Sequence, residues 1–388
     1  MRLAWPCILA ALCTGLVACK KKAAPHTVGL ALDVGGRGDQ SFNDGTLRGL
    51  EVMAAGLRYS TRGYESLSDD DYRKLVPNGP PHLRIPPPIV LQGKAQEDYE
   101  PNLQLLVDQG AELVIAVGFM MEAATRKVAR DNPRTKFLLI DSPVLDDAGK
   151  PTMLPNVRAV VFREHEGSFL VGALAGELTR TGKVGFVGGM QLPLIQKFEV
   201  GFRAGVRTVN PAAAGRVLVA YTGTFDDERK GVEVGQDLYR RGCDIVFHGA
   251  GLDGLGVIKA AEQANRWVVG VDSDQSHVAP RNVLTSMVKR ADLVVYQSVR
   301  DVVQGSFTGG DVVLGLKEGA VGLAPLGGDA DPPIGPESRA GAARDVEVLR
   351  QAVMAGRIAV PATPEELSRF QPPSPDALGL AHAVAHRP

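Results

Sequence analysis

Cysteine is too scarce in this chain for a disulfide framework or a thiolate metal cluster. Of its four cysteines, Cys7, Cys13 and Cys19 fall in the first nineteen residues, and only Cys243 remains in the body. Cys243 precedes the apolar run 245–247 and reads as a packed thiol. Neither sign of charge dominates: 43 basic residues stand against 44 acidic ones, which excludes recruitment of nucleic acid by net charge. Aromatics make up only 5% of the chain against 45 glycines, a balance that suits α/β loops better than an all-β wall. Catalytic signatures are also missing. There is no Gly-x-Ser-x-Gly elbow, no His-Glu-x-x-His zinc pair and no Gly-x-x-x-x-Gly-Lys phosphate loop. His165, between Glu164 and Glu166, lacks a second histidine four residues on, so no metal and no other cofactor is expected.

No apolar run is long enough for a permanent membrane span. The longest candidate, residues 8–17, follows Arg2 and ends in Leu16-Val17-Ala18-Cys19. That ending looks like a bacterial lipobox, in which the cysteine is acylated and becomes the new N-terminus. Residues 1–19 are therefore expected to be a lipoprotein signal peptide with Cys19 lipidated, and residues 20–26 a basic tether. The mature protein would then face away from the cytoplasm, held to a membrane by acyl chains.

The body is long enough for two domains with real cores. Short apolar runs at 113–117, 137–140, 184–187, 245–247 and 268–271 alternate with amphipathic stretches such as 167–179 and 230–241. Strand-helix-strand repetition of this kind predicts parallel sheets with right-handed crossovers. There are too many runs for one sheet, so two α/β lobes are expected. Lobe one takes residues 27–155 and 271–305, with 58–88 as an inserted surface excursion; lobe two takes 156–270 and 306–361. The Pro- and Ala-rich segment 362–388 reads as a flexible tail.

The segment 28–43, VGLALDVGGRGDQSFN, reads as a buried strand running to Val34, then two glycines and a polar loop opening onto a helix. In open α/β folds ligands sit at that carboxyl edge. Further on come Val117-Gly118-Phe119, the run 137–141 ending in Asp141, and Glu166-Gly167-Ser168-Phe169. Then follow Phe198-Glu199-Val200-Gly201-Phe202, His248-Gly249-Ala250-Gly251, Val271-Asp272-Ser273 and Met287-Val288-Lys289. In this order the motifs resemble the basic membrane protein family, the purine nucleoside receptor lipoproteins of ABC-type uptake systems. The resemblance implies a two-lobed type I periplasmic-binding-protein fold, each lobe a parallel sheet flanked by helices. It also implies a solute-binding, non-enzymatic role, with a nucleoside held between the lobes and passed to ABC permease subunits by a monomer. Carried over position by position, Asp39 and Asn43 meet the base edge, and Asp272 and Lys289 hold the sugar hydroxyls. Asp141 faces the cleft, Gly249 and Gly251 allow close backbone approach, and Phe198 stacks on the base, with Phe42 and Phe119 as alternatives. Where many relatives place an aromatic a few residues after Ser41-Phe42-Asn43, this chain has Leu47.

A second reading stays open at this stage. Residues 249–254 match Gly-x-Gly-x-x-Gly after a strand, and Asp272 follows at about the distance of a ribose-binding acid. An exported NAD-binding oxidoreductase would use the same residues.

Overall fold

The computed structural model describes residues 26–381. The signal peptide, Cys19 and nearly all of the basic tether lie outside them. In chain order the strands are β1 (Val28–Leu32), β2 (Leu57–Ser60), β3 (Gly63–Ser66), β4 (Ile89–Gln92), β5 (Leu113–Val117), β6 (Lys136–Ile140) and β7 (Val157–Phe162). They continue as β8 (Val184–Gly188), β9 (Leu218–Tyr221), β10 (Ile245–Gly249), β11 (Trp267–Asp272), β12 (Val283–Lys289), β13 (Gly310–Leu314) and β14 (Val321–Leu323).

Two six-stranded sheets result, ordered β13-β7-β6-β5-β1-β4 and β14-β12-β11-β10-β8-β9. All pairings in them are parallel except that of β12 with β14. The central strands β1, β5, β8, β10 and β11 are buried along their whole length, as expected of strands covered by helices on both faces. The two orders match strand for strand, so β1, β5, β6 and β7 correspond to β8, β10, β11 and β12.

The strand pairing corrects the expected lobe boundaries. β7 belongs to the first sheet although residues 156–270 were assigned to lobe two, and β12 to the second although 271–305 were assigned to lobe one. β13 likewise pairs with β7 in lobe one. The chain crosses at Arg163, at Arg290 and between Leu314 and Val321. These crossings are tied together: Arg163 N donates to Leu314 O (2.8 Å) and Arg290 N to Ala320 O (2.8 Å).

Two other expectations change. Segment 58–88 forms most of the β2–β3 hairpin and the helix Asp69–Leu75, but it is more than a surface excursion, because Tyr72, Val76 and Ile85 join the main core. Tyr296 Oη, from the helix Ala291–Val303, donates to Pro81 O at 2.8 Å and pins it down. The tail is also built in as far as it is described. Leu367, Leu378 and Leu380 are buried, and Arg207 Nη1 donates to the carbonyls of Leu367 (2.9 Å) and Phe370 (3.2 Å). Residues 382–388 lie outside the described chain.

Lobe two is held by close packing of the helices Glu164–Leu178 and Pro193–Val209. Glycine makes the approach possible: a Cβ at Gly205 would lie 2.0 Å from Phe169 O, and one at Gly172 would lie 2.1 Å from Phe202 O. Gly205→Ala is expected to destabilise the protein by about 1–3 kcal/mol through overpacking. Gly215→Ala, at a site with no atom within 4 Å of the added Cβ, is the matched control and should change stability by less than about 1 kcal/mol. Urea titration of both variants checks this; equal stabilities would mean the helix pair relaxes freely.

Candidate functional site

The carboxyl ends of both sheets face each other across one cleft with about 560 Å³ of atom-free space, its mouth included. Lobe one contributes Asp39, Phe42, Asn43, Phe119 and Asp141; lobe two contributes Phe198, Gly249, Gly251, Asp272 and Lys289. The ten expected residues thus line a single cleft. Asp33, Gly118, Phe225 and Val271 line it as well, though none of them was among the expected ligand-binding residues.

The centre is an ion cluster. Lys289, the last residue of β12, places Nζ 2.7 Å from Asp141 Oδ2 and 3.7 Å from Asp272 Oδ1. Both aspartates follow directly from strand geometry: Asp141 comes just after β6 and Asp272 ends β11, and both turn the chain with positive φ (+72° and +63°). That backbone is uncommon for residues other than glycine, with Asp among those that tolerate it best. Burial alone would push the Lys289 amine down, but the charges of Asp141, Asp272 and Glu164 outweigh it and hold the amine above its ordinary value. Burial raises the Asp272 carboxyl, with Lys289 and Ser41 pulling the other way. One oxygen on each aspartate, Oδ1, is buried with no hydrogen-bonding partner.

Aromatic rings surround this cluster. Lys289 Nζ sits 4.4 Å from the Phe42 ring centroid and 5.7 Å from that of Phe198. Phe198 is only 3% exposed and tilts against Phe247 at 6.4 Å, so it is a core residue that also turns a face to the cleft. Phe119 meets Phe225 edge-on across the lobes, centroids 6.3 Å apart. Phe225 comes from the loop after β9 and lies over Gly189, where a Cβ would be 2.2 Å from its ring.

Asp39 differs from expectation. Its Oδ1 accepts from Ser41 N (2.9 Å) and Asp44 N (3.0 Å), and its Oδ2 from Asn43 N (2.8 Å) and Asn43 Nδ2 (3.1 Å). It caps the helix Phe42–Leu47 and has no oxygen to spare for a base edge. Burial nonetheless pushes its carboxyl up to about 7. The second acid at this end is Asp33, just past β1; desolvation raises it to about 6 against the hydrogen bonds from Asn43 and Gly35.

The lobes are latched beside the cleft. Ser41 Oγ donates to Asp272 Oδ2 (2.7 Å), Ser273 Oγ to Ser41 O (3.2 Å) and Gln275 Nε2 to Gln40 O (3.2 Å). The glycine motif 249–254 serves packing at its far end: a Cβ at Gly254 would lie 2.3 Å from the buried His248 ring. Among the described residues no group of three or more His, Cys, Asp or Glu side chains could hold a metal ion. Nor is any helix among them long and apolar enough to cross a membrane.

Asp33→Asn tests the electrostatics. An acid raised from 3.8 to about 6 on folding binds its proton more tightly in the native state, so its contribution to stability falls as pH climbs through that interval. The amide variant carries no such penalty. Without ligand it should match the unaltered protein near pH 4 and be the more stable of the two at pH 8, as read by urea unfolding at both values. A pH-independent difference would mean that Asp33 is not desolvated.

A family model described as ABC transporter substrate-binding protein PnrA-like matches residues 27–339. The CD4+ T-cell-stimulating antigen of Listeria monocytogenes is 31% identical over 367 residues, covering 89% of this chain and 90% of that protein. Basic membrane protein A2 of Borrelia garinii is 34% identical over 240 residues, 61% of this chain and 69% of its own. Among solved structures, an ABC transporter solute-binding protein from Aeropyrum pernix superposes with a TM-score of 0.69 at 26% identity, covering 93% of this chain and 99% of that one. A second solute-binding protein, from Conexibacter woesei, shares the fold at 21% identity and a TM-score of 0.60. With this coverage and two matching α/β lobes of the type I periplasmic-binding class, the chain belongs to the basic membrane protein family of ABC transporter substrate-binding proteins.

Proposed function

We propose that this protein captures a nucleoside between its lobes and presents it to ABC permease subunits as a monomer, anchored outside the cytoplasm through acylated Cys19. The observation that carries the reading is the pair of unfilled carboxylate oxygens, Asp141 Oδ1 and Asp272 Oδ1, flanking the Lys289 ammonium beneath aromatic rings. A vicinal diol has two hydroxyl donors for such oxygens and lone pairs for the ammonium. A flat base attached to that diol suits the apolar faces of Phe42, Phe119, Phe198 and Phe225. Each Oδ1 is buried without a hydrogen-bonding partner, so a ligand that supplies donors favours the closed lobes.

Binding is expected to follow the diol. Asp272→Asn keeps the shape but loses the charge, and should cost a ribonucleoside about ten- to a hundredfold in affinity, roughly 1.5–3 kcal/mol. A 2′,3′-dideoxynucleoside should bind the unaltered protein weakly and lose little more on substitution. Calorimetry over this double cycle decides the point, because full additivity would place Asp272 away from the diol. Thermal stabilisation by hexoses or amino acids, with none by nucleosides, would overturn the ligand class.

The anchor is tested separately. Cys19→Ser should release the protein from the membrane fraction on cell fractionation, and unchanged membrane retention would refute acylation there.

A further inference from the structure

Outside the cleft lining lies a third acid that acts on Lys289. Glu164 opens the helix Glu164–Leu178 directly after the crossing at Arg163, and it is fully buried. Its Oε2 meets Lys197 Nζ at 3.3 Å, and its Oε1 is buried with no hydrogen-bonding partner. Lys197 Nζ also donates to Phe162 O, at the end of β7, over 3.3 Å, so this ammonium touches both lobes. The charges acting on Glu164 come from three other elements: Lys197 on the helix Pro193–Val209, Lys289 on β12 and Asp141 after β6. His165 beside it adds none near neutral pH, because burial pushes its imidazole down to about 4.

The lobes divide these charges unequally. Lobe two alone sets Lys289 and Lys197 against Asp272 and Glu164, a balanced group. Closure brings Asp141 from lobe one to 2.7 Å from Lys289 and leaves one carboxylate in excess at a site shut off from water. A carboxyl in that position takes up a proton sooner than remain charged. Among the three acids Glu164 is the one placed to do so. Asp141 holds Lys289 at 2.7 Å and Asp272 accepts from Ser41 Oγ at 2.7 Å, whereas Glu164 has only the longer contact with Lys197.

We propose that closure of the lobes is coupled to the uptake of one proton by Glu164, so that acid favours the closed form and base opposes it. The coupling needs no solute and does not depend on which solute the cleft takes. Burial pushes the Glu164 carboxyl up to about 7 in the closed form, against the pull of Lys197 and Lys289 and with Asp141 adding to the rise. Opening withdraws Asp141 and admits water, which returns the group toward the ordinary carboxyl range. A group raised in the closed form favours that form fully below its open-state value, and the advantage is lost as pH climbs through about 7. Asp33 and Asp39, the other cleft acids raised by burial, make their hydrogen bonds within lobe one, and opening leaves those in place.

The test reads the lobes directly, without solute. Glu97 and Arg229 are exposed and follow β4 and β9, the equivalent edge strands farthest from the crossings. Spin labels on cysteines at those two positions, in a chain whose Cys7, Cys13 and Cys19 are serines, report opening of the mouth, and the buried Cys243 stays unlabelled. Double electron–electron resonance should give a ratio of short to long distances about tenfold higher at pH 5.5 than at pH 8.5. Glu164→Gln keeps the shape and stays neutral, so at pH 8.5 it should already show the ratio that the unaltered residue gives at pH 5.5. Lys197→Gln removes the charge that favours the carboxylate and should move the midpoint of the change to higher pH. A ratio independent of pH, or a pH dependence that survives in Glu164→Gln, would overturn the proposal. So would an unmoved midpoint in Lys197→Gln, which decides the matter alone if Glu164→Gln does not fold.

Discussion

A lysine ammonium held out of water between the two lobes is the constraint on which the closed structure depends. Lys289 is 5% exposed, and an unpaired charge at such a site would cost several kcal/mol. Asp141 removes that cost from one lobe and Asp272 from the other, so neither lobe alone completes the cluster. The arrangement also places the charge next to a hinge. Lys289 is immediately followed by the crossing at Arg290, whose amide bonds to Ala320 on another crossing segment. Opening the lobes therefore separates Lys289 from Asp141 and strands a buried carboxylate unless water replaces the partner. A ligand that bonds to both lobes adds to the same cluster and shifts the balance toward closure by its differential affinity, with no separate switch required.

The matched strand orders explain how two aspartates come to face one lysine. β6 and β11 occupy equivalent positions in their sheets, and each delivers an aspartate at positive φ at its carboxyl end. Their partners β7 and β12 are equivalent too, yet β7 ends in Phe162 where β12 ends in Lys289. Two phenylalanines would have left the facing carboxylates of Asp141 and Asp272 uncompensated. The break in symmetry sets an aromatic ring beside the charge, the buried Phe162 ring lying 5.4 Å from the ammonium.

Much of this was legible in the sequence because strand ends are legible. Asp141 and Asp272 close apolar runs, and Gly249 and Gly251 follow another, so the carboxyl edges of the sheets could be read without coordinates. Asp33 obeys the same rule and was overlooked because the first strand was read through to Val34; the strand ends at Leu32, which makes Asp33 a third strand-end acid. Phe225 carried no such signal. It sits in an irregular loop, and its place over Gly189 depends on two segments distant in sequence. The lobe boundaries were misread for a related reason. β7 and β12 look like any other buried strand, and only pairing with β6 and β11 shows which sheet each joins. Asp39 was read as a base ligand when its spacing to Asn43 also satisfies a helix cap, and the backbone N–H groups won it.

That competition for Asp39 bears on why the site holds so many acids. A helix start exposes N–H groups that must be satisfied, and Asp39 accepts those of Asn43 and Asp44 together with that of Ser41, fixing the loop on which Ser41, Phe42 and Asn43 are carried. The rigid loop in turn fixes the Asn43 amide between two carboxylates and the Ser41 hydroxyl against Asp272. Three of the buried polar atoms without a hydrogen-bonding partner belong to residues that line the cleft: Asn43 Oδ1, Asp141 Oδ1 and Asp272 Oδ1. All three are acceptors. Acceptors left open beside the Lys289 ammonium favour a solute that brings donors to them. Stability sacrificed in the empty protein is thereby recovered on binding, which links the choice of ligand to the closure of the lobes through the same few oxygens.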